Sequence, residues 1–294
     1  MLKRTLPLLI LSLNVLTLCQ GHFLWQIESE PPSYLYGTVH SSDRSVRELP
    51  PEVIDALKTS RSFHPELAFS PENLGKLTAA IFAPTVNENF DYELPPSLRE
   101  RLNAAAENAG IPPVLIQRIP LQMLPLVFSA PPESNFNQVV DVQVYELAKE
   151  HELIIKELET VDEQVGVFRN LSREDAIRFL EDALEEFENG FPTQKTLLDA
   201  YSRGDLETLM ASFAEEMEEI NLPELARELL ENRNHRMTER LLPFLESGGA
   251  FAAVGVAHLP GEEGIVELLR EKGWNVERVP LSRSTQTEKE TSRK

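Results

Sequence analysis

Two short apolar runs, one towards each end of the chain, close on the same pattern of Gly, two residues and His. The first is Tyr34-Leu35-Tyr36-Gly37-Thr38-Val39-His40, and the second is Phe251-Ala252-Ala253-Val254-Gly255-Val256-Ala257-His258. Short apolar runs bounded in this way read as buried strands. The Gly, lacking a Cβ, lets the chain turn or another group come close. Each His then falls just past a strand's carboxyl end, where open α/β sheets place their ligands. A single Gly-x-x-His carries almost no information. Two of them, more than two hundred residues apart and each ending a predicted strand, predict a site assembled from both ends of the chain.

The segments between them fit that expectation. Phe23–Ile27 reads as a first strand, and Pro31-Pro32-Ser33 turns the chain into the second, 33–37. Pro50-Pro51-Glu52 opens a helix over 53–58, with proline in its tolerated first-turn place. Ser62-Phe63-His64-Pro65-Glu66-Leu67-Ala68-Phe69 reads as a strand that sets Ser62, His64 and Glu66 on one face by its period of two, against the loss of a ladder donor at Pro65. Residues 71–249 are mostly helical, with predicted helices over 98–109, 139–150, 172–189, 205–217 and 223–245, and one strand-like run at Leu153-Ile154-Ile155. A strand at 250–255, a helix at 264–271 and a strand at 274–279 close the fold, and this β–α–β order predicts a right-handed crossover with parallel pairing. The expected architecture is therefore α/β, with a sheet built from both ends of the chain and a large helical insert over about 71–249. The polar stretch 282–294 reads as a disordered tail.

At 294 residues and 41% hydrophobic, the chain has material for a substantial core. Its net charge of −20 argues against nucleic acid as a partner, because phosphate binding needs a basic surface. Residues 1–21 read as a secretory signal peptide. Lys3 and Arg4 begin it, Leu6 to Leu18 form its apolar core, and Cys19-Gln20-Gly21 offers a cleavage site. The alternative is a lipoprotein signal with Cys19 as the lipidated residue, although Leu18 is larger than such signals prefer. Cys19 is the only cysteine, so no disulfide or thiol chemistry is expected of a mature chain beginning at residue 22. No later stretch is apolar for long enough to be a transmembrane anchor. The expected location is secreted or periplasmic.

His40 and His258, with Glu66 as a third, form a candidate metal-ligand set that leaves a position open for water. A metal there would lower the water's pKa and polarise a carbonyl. On spacing alone the plainer reading prevails, in which each His is a hydrogen-bonded core or surface residue, because no local ligand spacing such as His-Glu-x-x-His is present. His64 shares the predicted face of Glu66, as an orienting group or a general base. Arg233 and Asn234 are candidates for holding a substrate carbonyl or a developing oxyanion, against the plainer reading of a solvated helix face. Glu159 and Gln164 read as surface residues, and the acidic run from Glu181 to Glu188 as one wet helix face. P-loop, dinucleotide, Gly-x-Ser-x-Gly and paired-Cys motifs are all missing from the sequence.

Taken as an ordered set, these residues resemble the TraB/GumN family, which includes the Tiki proteases. The resemblance runs over roughly residues 23–280. It is carried by Leu24-Trp25, Tyr34 to His40, Leu49-Pro50-Pro51, Glu66, Asp141 with Ala148, Leu158-Glu159-Thr160 with Gln164, Gly204-Asp205, Arg233-Asn234, and Val254 to Gly261 with Gly264. It implies a ChaN/erythromycin-esterase-like fold in which both Gly-x-x-His segments and Glu66 share one site. For the Tiki branch it implies a metal-dependent protease favouring manganese or cobalt, with zinc also compatible with the ligands. Two positions depart from the family's pattern. His64-Pro65 stands where small aliphatic residues are usual, and Met237 where an aromatic is common.

The resulting expectation is a secreted or periplasmic metal-dependent hydrolase acting on a peptide or protein substrate. His40, Glu66 and His258 hold the metal, and Glu66, Arg233, Asn234 and His64 are the catalytic candidates. The alternative is a non-catalytic metal-, haem- or peptide-binding protein on the same fold.

Overall fold

The computed structural model describes residues 23–82, 94–129, 131 and 134–281. The expected signal peptide, Cys19 and the expected tail lie outside the described residues. Six strands form one sheet: β1 (Phe23–Ile27), β2 (Ser33–Thr38), β3 (Ser62–Pro65), β4 (Ile154–Ile155), β5 (Ala250–Gly255) and β6 (Val276–Arg278), in the order β4-β3-β5-β2-β1-β6. The four strands from β4 to β2 run parallel, and β1 is antiparallel to both β2 and β6. The two ends of the chain thus meet at the centre of the sheet, where Tyr34 to Thr38 pair in register with Phe251 to Gly255.

The helices before β4 are α1 (Pro51–Thr59), α2 (Pro71–Phe82), α3 (Pro96–Asn108), α4 (Pro113–Ile116), α5 (Leu124–Val127) and α6 (Val140–Glu150). Those after it are α7 (Val161–Arg169), α8 (Arg173–Glu188), α9 (Pro192–Arg203), α10 (Leu206–Ile220), α11 (Pro223–Leu229), α12 (Glu231–Ser247) and α13 (Ile265–Glu271). Among the described residues, no helix is long and apolar enough to cross a membrane.

Side chains alternate across the sheet as the period of two requires. Phe23, Trp25, Ile27, Leu35, Ala250, Ala252 and Val254 share one core with α9, α12 and α13, while Leu24, Tyr36, Phe63, Phe251 and Ala253 share another with α1 and α6. A third core, with Leu102, Leu124, Phe128, Leu180 and Leu184, joins helices away from the sheet.

Three findings differ from the sequence expectation. The strand expected to reach Phe69 stops at Pro65, so Glu66 lies just past a strand end. The helix expected over 223–245 breaks at Leu230, whose φ of −119° is outside helical geometry. That break sets Arg233 and Asn234 in the buried first turns of α12. Finally, β6 does not pair with β5. The crossover through α13 passes β2 and β1, and β6 bonds to β1 in antiparallel register, Trp25 opposite Arg278. The crossover order gave strand direction correctly, but the partner was decided by which edge was still open.

Candidate functional site

Because β2, β3 and β5 are parallel neighbours, their carboxyl ends open on the same edge of the sheet. His40 follows β2, Glu66 follows β3, and His258 ends a 3-10 turn (Val256–His258) directly after β5. The two glycines allow this crowding in different ways. A Cβ on Gly37 would lie 2.9 Å from Leu259 Cδ1 and 3.0 Å from Val256 Cγ2, so the second motif packs where the first has no side chain. At Gly255 a Cβ would face Glu66 Oε1 at 3.4 Å, His258 Cδ2 at 3.5 Å and His40 Nε2 at 4.0 Å. These three side chains therefore border one space, and the bare backbone of Gly255 is its floor.

Each histidine is held from behind. His258 Nδ1–H donates to Asn234 Oδ1 at 2.6 Å, and Asn234 Nδ2 in turn donates to the Glu263 carbonyl at 2.7 Å. This fixes the His258 tautomer with its Nε2 lone pair facing Glu66 Oε1, 3.6 Å away. Burial pushes the His258 imidazole down to about 4, with Glu66 opposing and the charges of Arg233 and His40 assisting, so the ring is neutral at pH 7. His40 Nδ1–H donates to Asp141 Oδ2 at 2.9 Å, while Thr38 Oγ1 donates to the other oxygen of the same carboxylate at 2.5 Å. The charge of Asp141 and its hydrogen bond push His40 up to about 9. The ring is nevertheless 69% exposed, so solvent screens that charge. A cation at His40 Nε2 has to displace a proton.

Glu66 is buried and fully engaged. Its Oε1 accepts from the Gly255 amide at 2.6 Å, and its Oε2 accepts from Arg233 Nη2 at 2.7 Å and Gln164 Nε2 at 3.3 Å. Burial alone raises a carboxyl, but the charges of His258, Arg233 and His40, with the Gly255 amide, outweigh it and hold Glu66 at about 2. Arg233 is shared with Glu159, donating from Nη2 at 2.6 Å and from Nε at 3.0 Å. Gln164 also reaches Glu159 Oε2, at 3.1 Å. The Glu66–Arg233–Glu159 group thus carries two carboxylates on one guanidinium, all nearly closed to water.

The structure brings together His40, Glu66, His258, Arg233 and Asn234. Arg233 and Asn234 arrive with their polar atoms committed to Glu66, Glu159 and His258, which makes them positioning groups in this arrangement. His64 is not brought in. Its side chain is fully buried on the opposite side of the strand from Phe63, Nδ1 bonds the Lys156 carbonyl at 3.0 Å, Nε2 bonds Ser62 Oγ at 2.8 Å, and the ring packs on Phe244. With both nitrogens occupied it has no lone pair for the site.

The surface reading of Glu159 and Gln164 is corrected, since Glu159 is 2% exposed. The ladder beside β3 continues past β4, with Leu158 N bonding Pro65 O and Glu159 N bonding Glu66 O, and this lays Glu159 alongside Glu66. Thr160 then caps α7 through a reciprocal box with Glu163, which aims Gln164 at both carboxylates. Asp141 was given no chemical role by sequence reasoning. Its signal was a lone acid in the apolar run Val139-Val140-Asp141-Val142 at a helix start.

Among the described residues, no group of three or more His, Cys, Asp or Glu side chains is placed so that it could hold a metal ion. The donor types present, imidazole and carboxylate, are nevertheless ones that divalent cations take. Two imidazoles are tied at Nδ1, and one carboxylate oxygen faces the Nε2 of His258; such outer partners are what orient metal-binding histidines. Two acceptors facing each other at 3.6 Å, His258 Nε2 and Glu66 Oε1, leave a place for positive charge.

The profile of the TraB/PrgY/gumN family matches residues 23–278, which contain every site residue above. The chain is 25% identical to a metalloprotease TIKI homolog of Amphimedon queenslandica over 90% of its own length and 62% of that protein's. It is 26% identical to metalloprotease TIKI1 of Danio rerio, covering 88% of this chain and 63% of that one, and 26% identical to metalloprotease TIKI1 of Homo sapiens, covering 89% and 62%. The chain therefore spans somewhat less than two thirds of the length of the curated relatives it matches. No solved structure matches it. On the match of the family profile across nearly all of the described chain, the protein belongs to the TraB/PrgY/gumN family.

Proposed function

We propose that this protein is a metal-dependent hydrolase acting on peptides, with His40, Glu66 and His258 as the residues that hold a divalent cation. The observation that carries the reading is the pair His258 Nε2 and Glu66 Oε1. They face each other at 3.6 Å, with the far side of the imidazole locked by Asn234. The relatives' name, metalloprotease TIKI, supports the peptidase class. When bound, such an ion lowers the pKa of a coordinated water and polarises a carbonyl.

The chain's own residues prepare that chemistry. Asn234 keeps His258 in the tautomer that offers Nε2. Asp141 anchors His40 and compensates positive charge beside it. Arg233 and Gln164 hold Glu66 ionised and aimed, and the Gly255 amide fixes its second oxygen. Gly255 leaves the space between the three donors open. The remaining elements of the proposal are a ChaN/erythromycin-esterase-like classification for the sheet, a signal peptide at 1–21, one family domain over 22–281 with its helical insert, and a secreted or periplasmic location.

The test is metal content of purified residues 22–294 beside His40→Ala and His258→Ala, after equilibration with manganese, cobalt and zinc, followed by hydrolysis of a peptide panel. Stoichiometric metal in the parent, lost in both variants while they stay folded, supports the reading. A folded parent that takes up none of the three metals overturns it. Metal uptake without hydrolysis of any peptide favours the binding-protein alternative.

A further inference from the structure

A cleft of about 630 Å³ opens at Ser41 and Ser42, directly after His40. One wall is the turn that carries Asp43, Arg44 and Arg47. The facing wall is the junction of α8 with α9, where Phe191, Gln194 and Lys195 line it. Three cations therefore border the cleft, and among its described lining residues Asp43 is the only acid. The Asp43 carboxylate is already occupied, accepting from the Ser45 amide at 2.8 Å and the Ser45 hydroxyl at 2.6 Å. Arg47 uses one N–H on Gln138 Oε1 at 2.9 Å. Arg44 and Lys195 are exposed and pair with no carboxylate among the described residues.

This local excess stands against the composition of the whole chain. A net charge of −20 makes an average patch of the surface acidic, so a cleft whose described lining residues carry three cations to one acid is a marked exception. Concave low-dielectric walls focus such a field and raise the local concentration of oppositely charged ligands. The rest of the lining has the groups an extended peptide needs: amides and hydroxyls at Ser41, Gln138 and Gln194, backed by the buried ring of Phe191. Its position at Ser41 puts anything seated there next to His40.

We infer that this cleft binds an acidic peptide segment, so that a substrate's Asp or Glu side chains lie on Arg44, Arg47 and Lys195 while its backbone runs towards His40. The consequence for cleavage rests on the hydrolase reading above, whereas the binding preference does not. The test uses the full chain and fluorescently labelled peptides of one length that differ only in carrying Glu, Gln or Lys at the same positions. Binding is read by anisotropy without hydrolysis. The Glu peptide is expected to bind roughly tenfold more tightly than the Gln peptide, a difference that shrinks as salt rises. In an Arg44→Gln/Lys195→Gln variant that preference disappears, while thermal unfolding and binding of the Gln peptide are unchanged. Equal binding of all three peptides, tightest binding of the Lys peptide as the overall charge would dictate, no binding at all, or a preference that survives the double variant would each overturn the inference. Acid preference without any cleavage counts against the hydrolase reading alone, and cleavage without acid preference counts against this cleft alone.

Discussion

His258 Nε2 lies 3.6 Å from Glu66 Oε1, too far for a hydrogen bond and with no donor proton on either atom in their neutral and ionised forms respectively. Asn234 enforces this confrontation from the far side of the ring. Without Asn234 the imidazole is free to flip its tautomer and donate to Glu66, which removes the lone pair from the shared space. Asn234→Ala is therefore expected to weaken metal binding about 10- to 100-fold, the usual effect of losing an outer partner. Chelator competition on the folded variant measures this. An unchanged affinity would show that the His258 tautomer is not set by Asn234.

Gly255 offers a test that touches no donor. Its φ of −51° is open to any L-residue, so Ala adds a methyl without backbone strain. That methyl meets Glu66 Oε1 at 3.4 Å and His258 Cδ2 at 3.5 Å, which are ordinary contacts, yet it fills the floor of the space between the donors. Gly255→Ala is expected to unfold at nearly the parent temperature and to take up little or no metal. Calorimetry and metal analysis on one preparation read both. Full metal occupancy in the variant would move the proposed ion away from Gly255.

The outcomes along the chain show why some of this was legible in the sequence and some was not. Strands β1 and β5 were readable to the residue, because their short apolar runs and flanking turns are local signals. The meeting of both ends followed from two matching motifs. Glu159 was misread because its burial depends on a backbone ladder with Glu66, ninety residues away in sequence, and an isolated Glu before a helix cap looks the same whether wet or dry. Arg233 was recognised as chemically important, but its bonds to Glu66 and Glu159 were not foreseen, for a related reason. The two carboxylates that occupy it come from distant segments, and only the fold brings them within 2.7 Å. His64 differs in the opposite direction, because the structure places it away from Glu66. Its face of β3 was read correctly, as the bond to Ser62 shows, but Glu66 lies past the strand's end, where the alternation no longer applies.

The Glu66–Arg233–Glu159 group predicts a pH-dependent defect. Removing the guanidinium leaves two buried carboxylates side by side with no counter-charge. Arg233→Met is expected to cost about 3–5 kcal/mol at pH 7, the usual range for breaking a buried ion pair from one side. The Glu66 carboxyl, no longer held down by Arg233, then rises, so protonation relieves the defect and the gap to the parent narrows as the pH falls towards 5. Denaturant titrations of parent and variant at the two pH values check the sign. A gap that widens in acid would mean the carboxylates are not the source of the strain.

Two buried neutral histidines set the parent's own acid limb. Burial holds His64 at about 4, partly offset by its bond to the Lys156 carbonyl, and it holds His258 at about 4 as well. Both lie below the unfolded value of about 6.5. A depressed folded pKa means that the stability is fully present above the unfolded value and is lost as the unfolded chain takes up protons the native chain refuses. The parent should therefore lose stability between about pH 6.5 and pH 4, at up to about 1.4 kcal/mol per pH unit for each histidine. His40 has the opposite sign, since its value is raised to about 9, and its exposed ring acts weakly and above this window. Because His64 lies outside the proposed site, His64→Gln separates the two contributions. It lowers stability at every pH by losing the ring contact with Phe244, but its slope below pH 6.5 is shallower by one proton while metal uptake persists. A variant with the parent's slope would show that His64 is protonated in the native state.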